Sequence, residues 1–198
     1  MTTKIKRDSL DWYLDYHMHL ESRTIYIGDS TGEDMGIDAK SAEIAIKGLH
    51  LLSSSSPDKP IHIILNSFGG CVYNGLAIYD AIRACPNFVT IEVKGSAMSI
   101  ASIILQAGDH RILHPNSTIM IHDGYDSASD LIPKSIEAQA AYGKYIRKKF
   151  YDIYSARSTE KVSFWEKACA ADSYFNPERA LEVGLADEIF TPPVRPKA

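Results

Sequence analysis

The chain has 198 residues, 45 % hydrophobic and 23 % charged, which is ordinary for a soluble globular protein and enough for one domain with a sizeable core. Its net charge of -4, from 21 basic and 25 acidic residues with no basic stripe, argues against a nucleic-acid footprint. The start, Met1-Thr2-Thr3-Lys4-Ile5-Lys6-Arg7-Asp8, lacks the apolar region of a secretory signal, and no apolar run reaches membrane-spanning length, so a cytoplasmic protein is expected.

Residues 1–20 are polar with interspersed aromatics (Trp12, Tyr13, Tyr16) and read as an arm or short helix. A first strand is expected at 23–27, ended by Gly28-Asp29-Ser30. A helix follows over 39–52, capped by Asp38, with Ala42, Ile44, Ala45, Leu49 and Leu52 near helical spacing. The run Ser53-Ser54-Ser55-Ser56-Pro57 breaks this pattern and reads as a solvated loop within one domain. Ile61-His62-Ile63-Ile64-Leu65 is a β-branched run typical of a buried strand, and Asn66-Ser67-Phe68-Gly69-Gly70 turns the chain. Residues 72–84 read as a helix that Pro86 stops.

A strand at 88–93 leads through Lys94-Gly95-Ser96-Ala97-Met98 to Ser99 and a helix over 100–107. Short strands at 111–113 and 118–121 flank Pro115-Asn116. A polar stretch over 123–130 precedes the longest helix, roughly 134–157. A shorter helix at 161–168, a strand at Tyr174-Phe175 and a helix opened by Asn176-Pro177 and ended by Gly184 come next. The last strand is expected at 186–190, and the Pro-rich residues 191–198 are expected to fray. Strand–helix alternation throughout argues a single α/β domain.

Four features carry possible chemistry. Ser99 lies at a strand-to-helix junction, where backbone N–H groups are unpaired and developing oxyanions are stabilised. The alternative is a serine that only caps the helix. Gly69-Gly70 follows the 61–65 strand, and its N–H groups can form an anion-binding nest or simply a tight turn. His122 ends an apolar strand before a polar stretch, where an imidazole can face a cleft as a general base or play a structural part. Asp172, between Ala170-Ala171 and Ser173-Tyr174-Phe175, is a candidate for orienting an imidazole, or for capping a helix end.

The three cysteines (Cys71, Cys85, Cys169) are widely spaced with no C-x-x-C pair, which favours reduced thiols in packing roles. His17-Met18-His19 has the look of a metal pair, but no carboxylate or third histidine is suitably placed, so no metal site is expected.

Several motifs in register resemble the ClpP family, the proteolytic subunit of Clp protease. They are Leu65-Asn66-Ser67-Phe68-Gly69-Gly70, the helix from Gly75 to Ile82, the nucleophile motif Gly95-Ser96-Ala97-Met98-Ser99, Pro115-Asn116-Ser117 with Met120-Ile121-His122, and Asp172-Ser173-Tyr174-Phe175 through Asp187. The likeness runs from about Arg23 to Phe190. It implies an α/β, ClpP/crotonase-like fold of repeated β-β-α units with a projecting handle helix. The division implied is an N-terminal arm or axial segment (1–20), a peptidase domain (21–190, handle about 123–157) and a frayed tail (191–198).

By the same resemblance Ser99 is the nucleophile, His122 the base, Asp172 the orienting acid, and the backbone N–H groups of Gly70 and Ile100 the oxyanion donors. The activity implied is serine endopeptidase action on peptides or unfolded proteins. It would take place inside heptameric rings stacked as a tetradecamer and fed by an AAA+ unfoldase, with no metal or bound cofactor in the peptidase step. The chain departs from the family at Phe68, where proline is usual, at Asp123-Gly124-Tyr125-Asp126, where glutamine, proline and a glycine pair are usual, and at Ala171, where arginine often stands. Residues 1–20 do not match the usual axial loop well.

Two other functions compete. Crotonase-like acyl-CoA hydratases share the architecture and paired backbone donors, but usually work with carboxylates, which Ser99 with His122 disfavours. An inactive ring subunit that scaffolds an active paralogue is disfavoured by three filled triad positions, while the altered handle speaks for it.

Overall fold

The apolar runs of the sequence become the strands of one sheet. The structure, a computed structural model, describes residues 14–28, 36–124 and 133–194. Most of the expected arm (1–13), the polar stretch over 125–130 and the end of the tail (195–198) lie outside the described residues.

In chain order the elements are β1 (Met18–His19), β2 (Thr24–Gly28), α1 (Ala39–Ser55), β3 (Ile61–Ser67), α2 (Val72–Ala84), β4 (Val89–Met98) and α3 (Ile100–Leu105). There follow β5 (His110–Leu113), β6 (Thr118–Ile121), α4 (Pro133–Ala156), α5 (Val162–Cys169), β7 (Ser173–Phe175), α6 (Pro177–Glu182) and β8 (Glu188–Ile189). The main sheet runs β1-β2-β3-β4-β5-β8, parallel except for β1. The result is an α/β fold in which α1, α2 and α3 connect successive parallel strands.

β3 shows why this sequence makes a strand. Ile61, Ile63, Leu65 and Ser67 point inward and are buried, while His62, Ile64 and Asn66 alternate with them. Ile63 on β3 and Ile91 on β4 pair directly, and both are wholly buried.

β4 is longer than the sequence suggests, continuing through Gly95 to Met98. Its first half pairs with β5 and its second half, Ser96 to Met98, pairs with β6. The sheet therefore forks, and β6 carries β7 antiparallel on its far side. The register shifts beside Asn66, whose side-chain oxygen accepts the Ser96 N–H at 3.0 Å.

The serine run is a second departure. Residues 53–55 form the last turn of α1 rather than a loop. The guanidinium of Arg23 explains it by donating to the Leu52, Ser56, Lys59 and Pro60 carbonyls at 3.0, 3.1, 3.2 and 3.0 Å. Arg23, the residue before β2, thus ties the last turn of α1 to the segment that follows it. At the other end of α1 the expected cap forms, with Asp38 Oδ1 accepting the Ser41 N–H at 2.7 Å.

α4 is exposed through most of its first half and buries Ile146, Phe150, Tyr151 and Tyr154 near its end. Arg111 locks that end to the rest. Its side chain is 2 % exposed, and it donates to both Asp187 carboxylate oxygens, at 2.9 and 2.6 Å. It also donates to Gln106 Oε1, the Gly184 carbonyl and the Arg157 carbonyl. Asp187→Ala is expected to cost about 3 kcal/mol, because it strands a buried guanidinium. Burial pushes the Asp187 carboxyl up, but Arg111 outweighs it and holds the group below its ordinary value. A carboxyl lowered on folding stabilises above its unfolded pKa, and that contribution fades as the solution is acidified through the folded one. Thermal melts should lose stability on acidification below about pH 4, less steeply in Asp187→Asn than in the native chain.

Candidate active site

The forked sheet brings the chosen side chains together through two strand registers. β4 and β6 run parallel with Met98 opposite Met120, so Ser99 leaves the sheet level with Ile121, one position before His122, and the two strand ends lie side by side. β6 and β7 run antiparallel with Ile121 opposite Ser173, so His122 and Asp172 face one another as the next pair outward.

Side-chain geometry matches this placement. Ser99 Oγ lies 2.7 Å from His122 Nε2. His122 Nδ1 lies 3.2 Å from Asp172 Oδ1. The His122 side chain is 12 % exposed and that of Asp172 41 %, so the relay runs from a largely covered imidazole to a wetter carboxylate.

Ser99 occupies the N-cap position of α3, yet its side chain makes no cap hydrogen bond, which removes the capping alternative. Its backbone sits at φ 52, ψ -128, left-handed for a residue that is not glycine. Such a conformation costs about 1–3 kcal/mol and persists only where its surroundings enforce it. Enforcement comes from the Ser99 N–H, which donates to the Met120 carbonyl at 2.8 Å. The turn lifts the hydroxyl clear of both strand and helix, the logic of a nucleophile elbow.

The glycine turn sits against the same serine. A Cβ on Gly69 would lie 2.6 Å from the Ser99 Cβ, and one on Gly70 would lie 2.5 Å from the Ile37 nitrogen. Both glycines have positive φ, so a side chain there meets strain as well as contact. Ile37 bridges this turn: its N–H donates to the Gly69 carbonyl at 2.7 Å, and its carbonyl accepts the Cys71 N–H at 2.8 Å. In that parallel bridge the intervening Gly70 N–H points the other way, away from Ile37. The turn is also tied internally, by the Gly69 N–H donating to Ser67 Oγ at 3.0 Å, although Phe68 stands where proline is usual.

Ile100 carries the second candidate backbone donor. Its N–H is in the first turn of α3, where no intrahelical acceptor exists. Its side chain is clamped on Gly75, where an added Cβ would approach Ile100 Cγ1 to 2.2 Å.

Gly70, Ser99 and His122 open on a cleft of about 830 Å³, walled on the far side by Tyr142, Ile146 and Phe150 of α4. Asp123 lines it too. Its N–H donates to the Cys169 carbonyl at 2.8 Å, and its carboxylate accepts the Tyr151 hydroxyl at 2.5 Å. Cys71 is exposed in this cleft instead of packed, whereas Cys169 is buried with its thiol pushed up to about 12 by burial and then by the Asp123 charge. Among the described residues no cluster of His, Cys, Asp and Glu is arranged to hold a metal, and no helix is long and apolar enough to cross a membrane. His19 instead uses Nδ1 to meet Ser22 Oγ at 2.7 Å.

An imidazole between a hydroxyl and a carboxylate, beside two backbone donors, can take a proton from the hydroxyl and stabilise an oxyanion. A sequence model of the family described as Clp protease matches residues 6–193. The chain belongs to the Clp protease family. Among its relatives is the ATP-dependent Clp protease proteolytic subunit of Deinococcus radiodurans, 34 % identical over 177 residues, spanning 88 % of this chain and 83 % of that protein. The family match begins at residue 6, earlier than the likeness read from the motifs, and takes in part of the N-terminal segment. As a Clp protease family member the chain is a ClpP-like serine peptidase.

Three partners of the site were not legible in the sequence. Ile37 pins the glycine turn from a distant part of the chain, Tyr151 holds the residue after His122, and Ser102 reaches back to Ser99. Only Ser102 had a local signal, its position one turn after Ser99 on the same helix.

Proposed function

We propose that the chain is the endopeptidase subunit of a ring-shaped chamber, with Ser99 as nucleophile, His122 as base and Asp172 as orienting acid. The observation that carries this reading is the Ser99 Oγ to His122 Nε2 distance of 2.7 Å, with the other ring nitrogen turned to Asp172. Ser99 Oγ bonds to the scissile carbonyl carbon while its proton passes to His122 Nε2. The carbonyl oxygen becomes an oxyanion that the Gly70 and Ile100 N–H groups hold. As the tetrahedral intermediate collapses, the C–N bond breaks and His122 returns the proton to the leaving amine. Water then attacks the acyl-serine by the same route and frees Ser99.

The assembly belongs to the same reading: heptameric rings stacked in pairs through the handle (123–157), an N-terminal axial segment (1–20), and an AAA+ unfoldase that consumes the ATP. The relative's name, ATP-dependent Clp protease proteolytic subunit, supports the ATPase partner. A cytoplasmic location without nucleic-acid or membrane partners is part of the same proposal, and the net charge of -4 is in keeping with the lack of a nucleic-acid partner.

Purified protein is expected to cleave short fluorogenic peptides without nucleotide, and to degrade a folded protein only with an AAA+ unfoldase and ATP. Sedimentation should give a particle of fourteen 22.0 kDa protomers. A monomer, or an assembled particle that cleaves no peptide, would overturn this reading.

A further inference from the structure

The Ser99 peptide has a second set of partners, and they lead to α4. Ser102, wholly buried, meets the Ser99 carbonyl twice, through its N–H at 3.0 Å and its hydroxyl at 2.5 Å. The Ser102 hydroxyl also lies 2.7 Å from the Tyr154 hydroxyl. Ser102 has one hydroxyl proton and gives it to the Ser99 carbonyl, so Tyr154 donates and Ser102 accepts. Tyr154 is 2 % exposed and lies against Trp165 with ring centroids 5.2 Å apart, which fixes the phenol in place. Burial raises its pKa well above the ordinary tyrosine value and keeps the proton on the donor.

A trans peptide is planar, with its C=O and N–H pointing in opposite directions. The Ser99 carbonyl and the Ile100 N–H belong to one such unit. Donors that pin the carbonyl from the interior therefore turn the N–H outward.

We propose that Ser102 and Tyr154 are positioning residues for the acyl-transfer reaction. Their hydroxyls form a relay, Tyr154 to Ser102 to the Ser99 carbonyl, that holds the left-handed Ser99 backbone and aims the Ile100 N–H at the developing oxyanion. Neither side chain touches substrate. The same α4 walls the cleft through Ile146 and Phe150, so the relay joins the helix bordering the substrate to the peptide that stabilises the transition state. The inference rests on the assignment of Ser99 and Ile100 made under the proposed function.

Tyr154→Phe removes one hydroxyl and keeps the ring on Trp165, while Ser102→Ala removes the donor itself. Each is expected to lower kcat about tenfold at nearly constant KM, because misalignment matters most where charge develops. Each should weaken binding of a peptide boronate, whose tetrahedral adduct carries an oxygen in the oxyanion position, by a similar factor. Binding of a product peptide should stay unchanged. The double variant should be within about twofold of the slower single variant, since the two hydroxyls act in series. Circular dichroism and particle mass report folding, and Ser102→Ala reads the relay even where Tyr154→Phe fails to assemble. A native kcat in Ser102→Ala, a loss confined to KM, or unchanged boronate affinity overturns the relay. Ser99→Ala separates the two ideas. Peptidase activity that survives it overturns the nucleophile assignment and the relay together. Activity that dies with it, but is untouched in both relay variants, overturns the relay alone.

Discussion

Ser99→Ala is expected to reduce peptide cleavage by about 10⁵- to 10⁶-fold, to background, and to abolish labelling by a serine-directed fluorophosphonate. The magnitude follows from the chemistry, since removing Oγ leaves no atom to form the acyl-enzyme. The fold should survive, because the hydroxyl makes no cap bond to α3 and its partner is the His122 ring. Alanine tolerates the left-handed backbone about as well as serine does, so the stability change should stay within about 1 kcal/mol. The check is a fluorogenic peptide assay beside a thermal melt and a particle mass. Full cleavage by a well-assembled Ser99→Ala particle would mean that another group attacks the substrate. Cys71, the exposed thiol lining the same cleft, would then be the first to replace.

Local signals explain what was readable in the sequence. α2 is bounded by Gly69-Gly70 and Pro86, and its limits match the expectation at both ends. β6 does too, because Thr118-Ile119-Met120-Ile121 is a short apolar run closed by a histidine. β4 past Val93 was not readable, since Lys94-Gly95-Ser96 has no strand character of its own. It is strand because Asn66 and β6 supply its partners from elsewhere in the chain. The serine run failed for a similar reason, as its helical turn depends on a guanidinium from Arg23. Ser99, His122 and Asp172 could each be singled out locally, but each also had an ordinary structural reading. Their meeting depends on the parallel β4–β6 and antiparallel β6–β7 registers, and pairings so far apart in the chain leave no periodic mark in a single sequence. The Tyr154–Ser102 relay is further still from legibility, since a tyrosine on a long amphipathic helix looks like any core residue.

Asp172→Asn is expected to lower kcat by about 10²- to 10³-fold, with a smaller change in KM. The carboxylate accepts from His122 Nδ1–H, which leaves Nε2 bare to take the Ser99 proton. An asparagine can turn its amide donor toward Nδ1, which stabilises the opposite tautomer and blocks Nε2 with a proton. In a fully buried triad that inversion costs about 10⁴-fold. Here the Asp172 side chain is 41 % exposed and its bond to the ring is 3.2 Å, so water can restore part of the orientation. Among the described residues no lysine or arginine pairs with this carboxylate, and Ala171 stands where the resembling family often has arginine, so the His122 ring is the partner it orients. Asp172→Ala separates orientation from tautomer inversion. Without an amide to invert the ring, it should be less impaired than Asp172→Asn despite removing more atoms. Steady-state kinetics on one peptide, with the fluorophosphonate labelling rate falling by the same factor, would check both variants. An Asp172→Asn enzyme within about threefold of the native rate would show instead that solvent orients the ring, and that Ser99 and His122 act as a dyad.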